Sequence, residues 1–285
     1  RLVQLLEERG GGFYKRTTGT GGAMAAEEGT GGAAAAEEIT GGATAAGATA
    51  RETQRAGNAA RGIIGIDDVV LIKVNAQWNQ RGGTNTDLTA SIVEAIIDHP
   101  DGFTGEVIIA DNGQAQFGSG GGGGSLDWGR NNGLDPDRSM EDVAEEFVSE
   151  GHRVSAYLWD TITKKRVSEF SDGDSEDGYV VADKPTEPTG IIVTYPKFTT
   201  RYGTQVSFSQ GIWDPGTRSY DQDGLVVINV PVLKSHSIYG VTAAVKHYMG
   251  VVSDKLTSHN AHRSVGNGGM GTQMVETRMP DLNVI

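Results

Sequence analysis

Hydrophobic and polar positions alternate between two periods from residue 62 onward. Val69-Val-Leu-Ile-Lys-Val-Asn75 is a nearly continuous apolar run ending in polar residues, which predicts a buried central strand. Thr86-Asp87 offers a helix cap, and Leu88, Ile92, Val93, Ala95 and Ile96 follow at helical spacing until Pro100-Asp101-Gly102. Gly105–Ala110 reads as the next strand, ending in Asp111-Asn112. Strand, helix and strand in so short a stretch make a βαβ unit, and the right-handed crossover makes its strands parallel.

The alternation continues. Met140–Ser149 reads as an amphipathic acidic helix and Arg153–Leu158 as a strand. Residues 171–189 are polar and turn-rich, Gly190–Tyr195 and Gly203–Phe208 read as an antiparallel pair, and Leu225–Val230 is another buried strand. Val241–Met249 could be a helix. The expected fold is an open, mostly parallel α/β sheet with flanking helices and a β-rich insertion around 160–220.

The remaining segments follow other patterns. Residues 1–16 read as an N-terminal helix of the same domain, with Leu2, Leu5 and Leu6 on one face. Residues 17–60 carry an approximate ten-residue Gly/Ala repeat, and 25 of these 44 residues are Gly or Ala. Such a stretch buries too little to offset about 1–2 kcal/mol of backbone entropy per residue, so it reads as a low-complexity insertion or linker. Gly118–Ser125 reads as a flexible loop; no Lys-Ser/Thr follows its glycines, so it is no phosphate loop. Residues 61–285 form the expected α/β domain, which reads as incomplete at its C-terminus.

Composition narrows the chemistry. The 285 residues include no Cys, which excludes disulfides, thiolate metal sites and a Cys nucleophile. A net charge of −13 argues against general nucleic-acid binding. No apolar run is long enough for a transmembrane helix. The chain opens at Arg1 without a leader pattern, which suits a cytoplasmic protein or an exported one whose signal is gone.

In such sheets ligands sit beyond the carboxyl ends of parallel strands. That rule selects Lys73 and Asn75, Asp111 and Asn112, Asp160, and Lys234 and His236. Lys73, Lys234 and Lys246 converging there would hold a phosphate or carboxylate, with Asn75, Thr84, Thr86 and Thr242 as neutral donors. The bland alternative is lysines that snorkel out and pair with surface carboxylates. His236 and His247 are candidate acid–base groups, with Asp111 to orient or ligate. His236, His247, His259 and His262 could instead bind Zn²⁺ or another divalent metal, although no HExxH signature is present. Asp172, Asp174, Glu176 and Asp177 read as a solvated loop lacking calcium-loop spacing. The four tryptophans fall in or beside predicted loops, where they could stack on a ligand or close a core edge.

Several stretches carry a resemblance. Val-Leu-Ile-Lys73-Val-Asn75, Gly82-Gly-Thr84-Asn-Thr86, Ala110-Asp111-Asn112, Val-Ile-Asn229-Val-Pro-Val-Leu-Lys234-Ser-His236 and Gly240-Val-Thr242-Ala-Ala-Val-Lys246-His247-Tyr-Met-Gly250 resemble the domain-of-unknown-function family 362. The resemblance spans 62–285, with a weaker echo in 1–16. It implies a fold and a site, and no reaction. Family members sometimes carry iron–sulfur modules, which a Cys-free chain cannot reproduce. Three readings follow: an enzyme performing hydrolysis or proton transfer on a small anionic molecule; a non-catalytic, exported, self-assembling protein forming homo-oligomers; and a partner of an iron–sulfur redox system.

Overall fold

A computed structural model describes residues 12–15, 62–76, 83–112, 138–183, 192–236, 240–253 and 256. The chain divides into two units, residues 1–65 and 66–285. In the first, Tyr14 and Ile64 form a parallel bridge, with Ile64 N–H donating to Phe13 O at 2.9 Å. The predicted N-terminal helix, nearly all of the Gly/Ala repeat and the glycine run at 118–125 lie outside the described residues.

The second unit contains the parallel sheet. Its strands are β1 (Val69–Lys73), β2 (Glu106–Asp111), β3 (Val154–Leu158) and β10 (Leu225–Asn229), in the spatial order β10-β1-β2-β3. All three pairings are parallel. Every residue of β1 and β2 is buried, as their unbroken apolar runs require. Helices α1 (Thr86–Ile97) and α2 (Met140–Ser149) supply crossovers. The cap of α1 is Asn85, one residue before the expected Thr86-Asp87; its side chain accepts from Leu88 N–H. Ser139 and Asp142 form a capping box on α2. Among the described residues no helix is long and apolar enough to cross a membrane.

The β-rich insertion is a six-stranded sheet in sequential order: β4 (Arg166–Val167), β5 (Gly178–Val181), β6 (Thr194–Thr199), β7 (Gln205–Ser207), β8 (Gly211–Asp214) and β9 (Ser219–Asp221). β6 and β7 are the expected antiparallel pair, although β6 begins later than its apolar run suggested. β5 lies inside the stretch that reads as turns. One face of β1 and β2, carrying Val69, Leu71, Ile108 and Ala110, packs into a single core with Tyr179, Phe198, Val206 and Phe208 of the insertion. Trp159 closes that core, which favours the bland reading for this tryptophan.

The predicted helix over 241–249 is shorter. Strands β11 (Lys234–His236) and β12 (Gly240–Thr242) pair antiparallel, placing Lys234 opposite Thr242. Helix α3 then covers only Ala244–His247, followed by a 3-10 turn over Tyr248–Gly250.

Candidate functional site

Parallel register puts the polar ends of three strands side by side. Lys73 ends β1, opposite Asn229 of β10 on one side and Ala110 of β2 on the other, with Asp111 next along. The chain leaving β1 is pinned there. Asn75 N–H donates to Thr84 Oγ1 at 2.7 Å, Thr84 Oγ1 donates to Val230 O at 3.1 Å, and Ala76 N–H donates to Asp111 Oδ2 at 2.6 Å.

At this edge Lys73, Asp111 and His247 are all buried. Lys73 forms an ion pair with Asp111 Oδ1. Its ammonium also donates to Val74 O at 2.8 Å and lies 3.2 Å from His247 Nε2. An ammonium has three hydrogens, and three acceptors surround this one. Asn229 Nδ2 donates to Ala244 O at 3.0 Å, so Asn229 Oδ1 faces His247 Nδ1 and takes its hydrogen. His247 Nε2 lies 2.8 Å from Val74 O as well as 3.2 Å from Lys73 Nζ, so a carbonyl oxygen faces each ring nitrogen and Lys73 crowds the second.

Electrostatics makes the cluster responsive to protons. Burial pushes the Lys73 ammonium down, and its attraction to Asp111 opposes that. Burial pushes the Asp111 carboxyl up, and Lys73 opposes that. Burial thus disfavours both charges, and their mutual attraction works against it. Burial, and then the neighbouring Lys73 charge, lowers His247 to about 2.

Lys234 and Lys246 add positive charge. Burial lowers Lys234. Burial and then the charge of Lys234 lower Lys246 to about 8. Both lysines also repel a proton on His247. The site therefore gathers cations whose repulsion a bound anion would relieve.

A stability prediction follows from His247. Its folded value lies below its ordinary 6.5, so the unfolded chain binds the extra proton between about 2 and 6.5. Stability should fall with acidification across that window, by up to about 1.4 kcal/mol per pH unit from this group. Urea unfolding of wild type and His247→Gln at about pH 5 and pH 7 checks it. The variant should show the smaller pH slope; equal slopes would refute the assignment.

The sequence-selected residues take different places. Lys73, Asp111 and His247 come together, with Lys234 and Lys246 electrostatically coupled to His247. Lys73 is saturated by its neighbours rather than presented to solvent. Asn75 and Thr84 hold the chain after β1, and Thr86 is buried in the first turn of α1 with its hydroxyl unpaired. Asn112 ties the edge together, its N–H donating to Gly250 O at 2.9 Å and its Nδ2 to Val252 O at 2.9 Å. Asp160 is buried in the turn after β3.

The side chains of His236 and Thr242, and all of His259 and His262, lie outside the described residues. Among the described residues no group of three or more His, Asp or Glu could hold a metal ion. The acidic loop is ordered: Asp174 accepts from Ser168 and Glu176 N–H at 2.9 Å each, and Asp177 accepts from Tyr157 Oη at 2.6 Å. The residues that sequence reasoning did not assign to the site are Asn229, Gly250 and the backbones of Val74 and Ala76. Asn229 ends the β10 run as Lys73 ends that of β1, which was the available signal.

No curated protein and no solved structure matches the chain. Residues 222–285, the stretch that carries Asn229, Lys234, Lys246, His247 and Gly250, match the model of the family described as domain of unknown function (DUF362).

Proposed function

We propose that this protein is an enzyme that binds a small phosphate- or carboxylate-bearing molecule at Lys234 and Lys246. It transfers a proton to or from that molecule through Lys73, Asp111 and His247. The observation that carries this reading is the buried Lys73–Asp111–His247 contact beyond the carboxyl ends of parallel strands. Such a cluster is costly to bury and stabilises little that apolar residues would not. Displaced proton affinities of this kind are common where acid–base chemistry is done. An anion beside Lys234 and Lys246 would offset the smaller repulsion that those two lysines add to burial and Lys73, raising the proton affinity of His247 when substrate is present.

Calorimetric titration with inorganic phosphate and with malonate tests the anion site. Below about 8 Lys246 is protonated and affinity should be highest; above it the charge is lost and affinity should fall. Lys246→Arg should keep its affinity at high pH, because guanidinium stays charged. Lys234→Ala should weaken binding about tenfold or more with unchanged melting temperature. Absence of saturable binding by either anion, or affinity indifferent to Lys234, would overturn the proposal and favour the non-catalytic assembly reading.

A further inference from the structure

The six-stranded sheet carries a cleft that shares no residue with the Lys73 cluster. This cleft, of about 340 Å³, lies among Phe170, Asp174, Gln205, Trp213, Pro215 and Arg218. Its lining combines two aromatic rings and a proline with an amide, a carboxylate and a guanidinium. Ligand sites typically pair apolar walls with a few placed polar groups in this way, and this volume is at the small end of their range.

The walls are braced from behind. Lys197 has a fully buried side chain, with its ammonium 4.2 Å from the centre of the Phe170 ring and donating to Asp174 O at 2.6 Å. Trp213 packs on Tyr220 with ring centres 4.9 Å apart. Tyr220 Oη donates to Glu169 Oε2 at 2.6 Å and accepts from Phe170 N–H at 3.0 Å. Glu169 Oε1 also accepts from Tyr195 Oη at 2.8 Å and Ser207 Oγ at 3.1 Å. Both aromatic walls are thus fixed by one polar network, which is the preorganisation that a binding surface needs.

Arg218 supplies the charge. It stands at φ 54°, the one described non-glycine residue with positive φ. Glycine would hold this hairpin position at lower cost, by about 1–2 kcal/mol. Among the described residues no carboxylate pairs with its guanidinium. Arg218 thus places a long cationic side chain at a strained position beside an aromatic cleft.

We propose that this cleft binds a monosaccharide bearing a carboxylate, its ring stacked on Trp213, its hydroxyls on Asp174 and Gln205, and its carboxylate on Arg218. An aromatic wall takes the apolar face of a sugar ring, and guanidinium matches carboxylate in a bidentate fork. Asp174 suits hydroxyl donors because the Ser168 and Glu176 N–H groups hold it ionised and therefore an acceptor.

Tryptophan emission during titration with glucuronate, glucose and acetate tests the proposal. Glucuronate should give a saturable change, glucose one about tenfold weaker, and acetate none. Trp213→Phe should abolish the signal. Arg218→Gly should reduce glucuronate affinity about tenfold, to that of glucose, while its melting temperature holds or rises as the backbone relaxes. Lys234→Ala should leave the glucuronate response intact, which separates this cleft from the anion site proposed above. Equal affinity for glucose and glucuronate, a response that persists in Trp213→Phe, or no saturable response would overturn it.

Discussion

Asp111→Ala should cost about 3–5 kcal/mol of stability, the usual penalty for stranding one member of a buried ion pair. The change removes the carboxylate from Lys73 and also leaves Ala76 N–H without its acceptor. No water-exposed rotamer is at hand for Lys73, whose side chain is fully buried. Domains of this kind have only about 5–15 kcal/mol in total, so the variant could fail to fold. The paired variant Lys73→Met/Asp111→Leu keeps the test informative. It removes both charges at similar volume and should recover most of the lost stability in urea unfolding. Asp111→Ala should also gain stability as pH rises toward 10.5, because its stranded lysine folds more readily once deprotonated. If the double variant is as unstable as the single, the ion pair is not what Asp111 contributes.

Gly250→Ala is the second large effect. A Cβ at this position would stand 2.7 Å from Lys73 Nζ and closer still to Asp111 Oδ1. Those atoms end side chains, yet neither can swing away without breaking the buried pair. We expect a loss of about 1–3 kcal/mol, as in other overpacked cores. The Lys73–Asp111 contact should lengthen, so phosphate binding and its pH profile should change as well. Gly216→Ala is the control, since its nearest neighbour, Asp214 Oδ1, lies 3.2 Å away on an exposed turn. Equal melting temperatures for Gly250→Ala and wild type would show that the site tolerates the methyl group.

The parallel sheet was legible because β1, β2, β3 and β10 are largely apolar runs that end in polar residues, and α2 was legible through the amphipathic pattern of Met140–Ser149. The strand-end rule selected Lys73 and Asp111, which lie side by side at the ends of β1 and β2. Sequence could not show that the two lock together. That contact depends on β1 lying between β10 and β2, a long-range fact. Residues 240–249 misled for the same reason. Val241, Val245 and Tyr248 repeat at helical spacing, but Thr242 is drawn into a ladder with Lys234. β5 was hidden by its length, four residues beside the Asp-rich loop, and is held by partners on both sides. Asn229 reads from sequence as a strand end; only the fold brings α3 over it and gives its side chain the His247 ring to orient.

The central claim is that an anion at Lys234 and Lys246 raises the proton affinity of His247. Nitrogen-15 NMR of the histidine rings, with and without phosphate, addresses it directly. His247→Gln assigns the resonance by its loss. In the free protein His247 should stay neutral down to low pH, consistent with a value near 2. Saturating phosphate should raise that value, and Lys234→Ala should blunt the rise. A His247 that titrates near 6.5 in the free protein, or one whose titration phosphate leaves unchanged, would contradict the account.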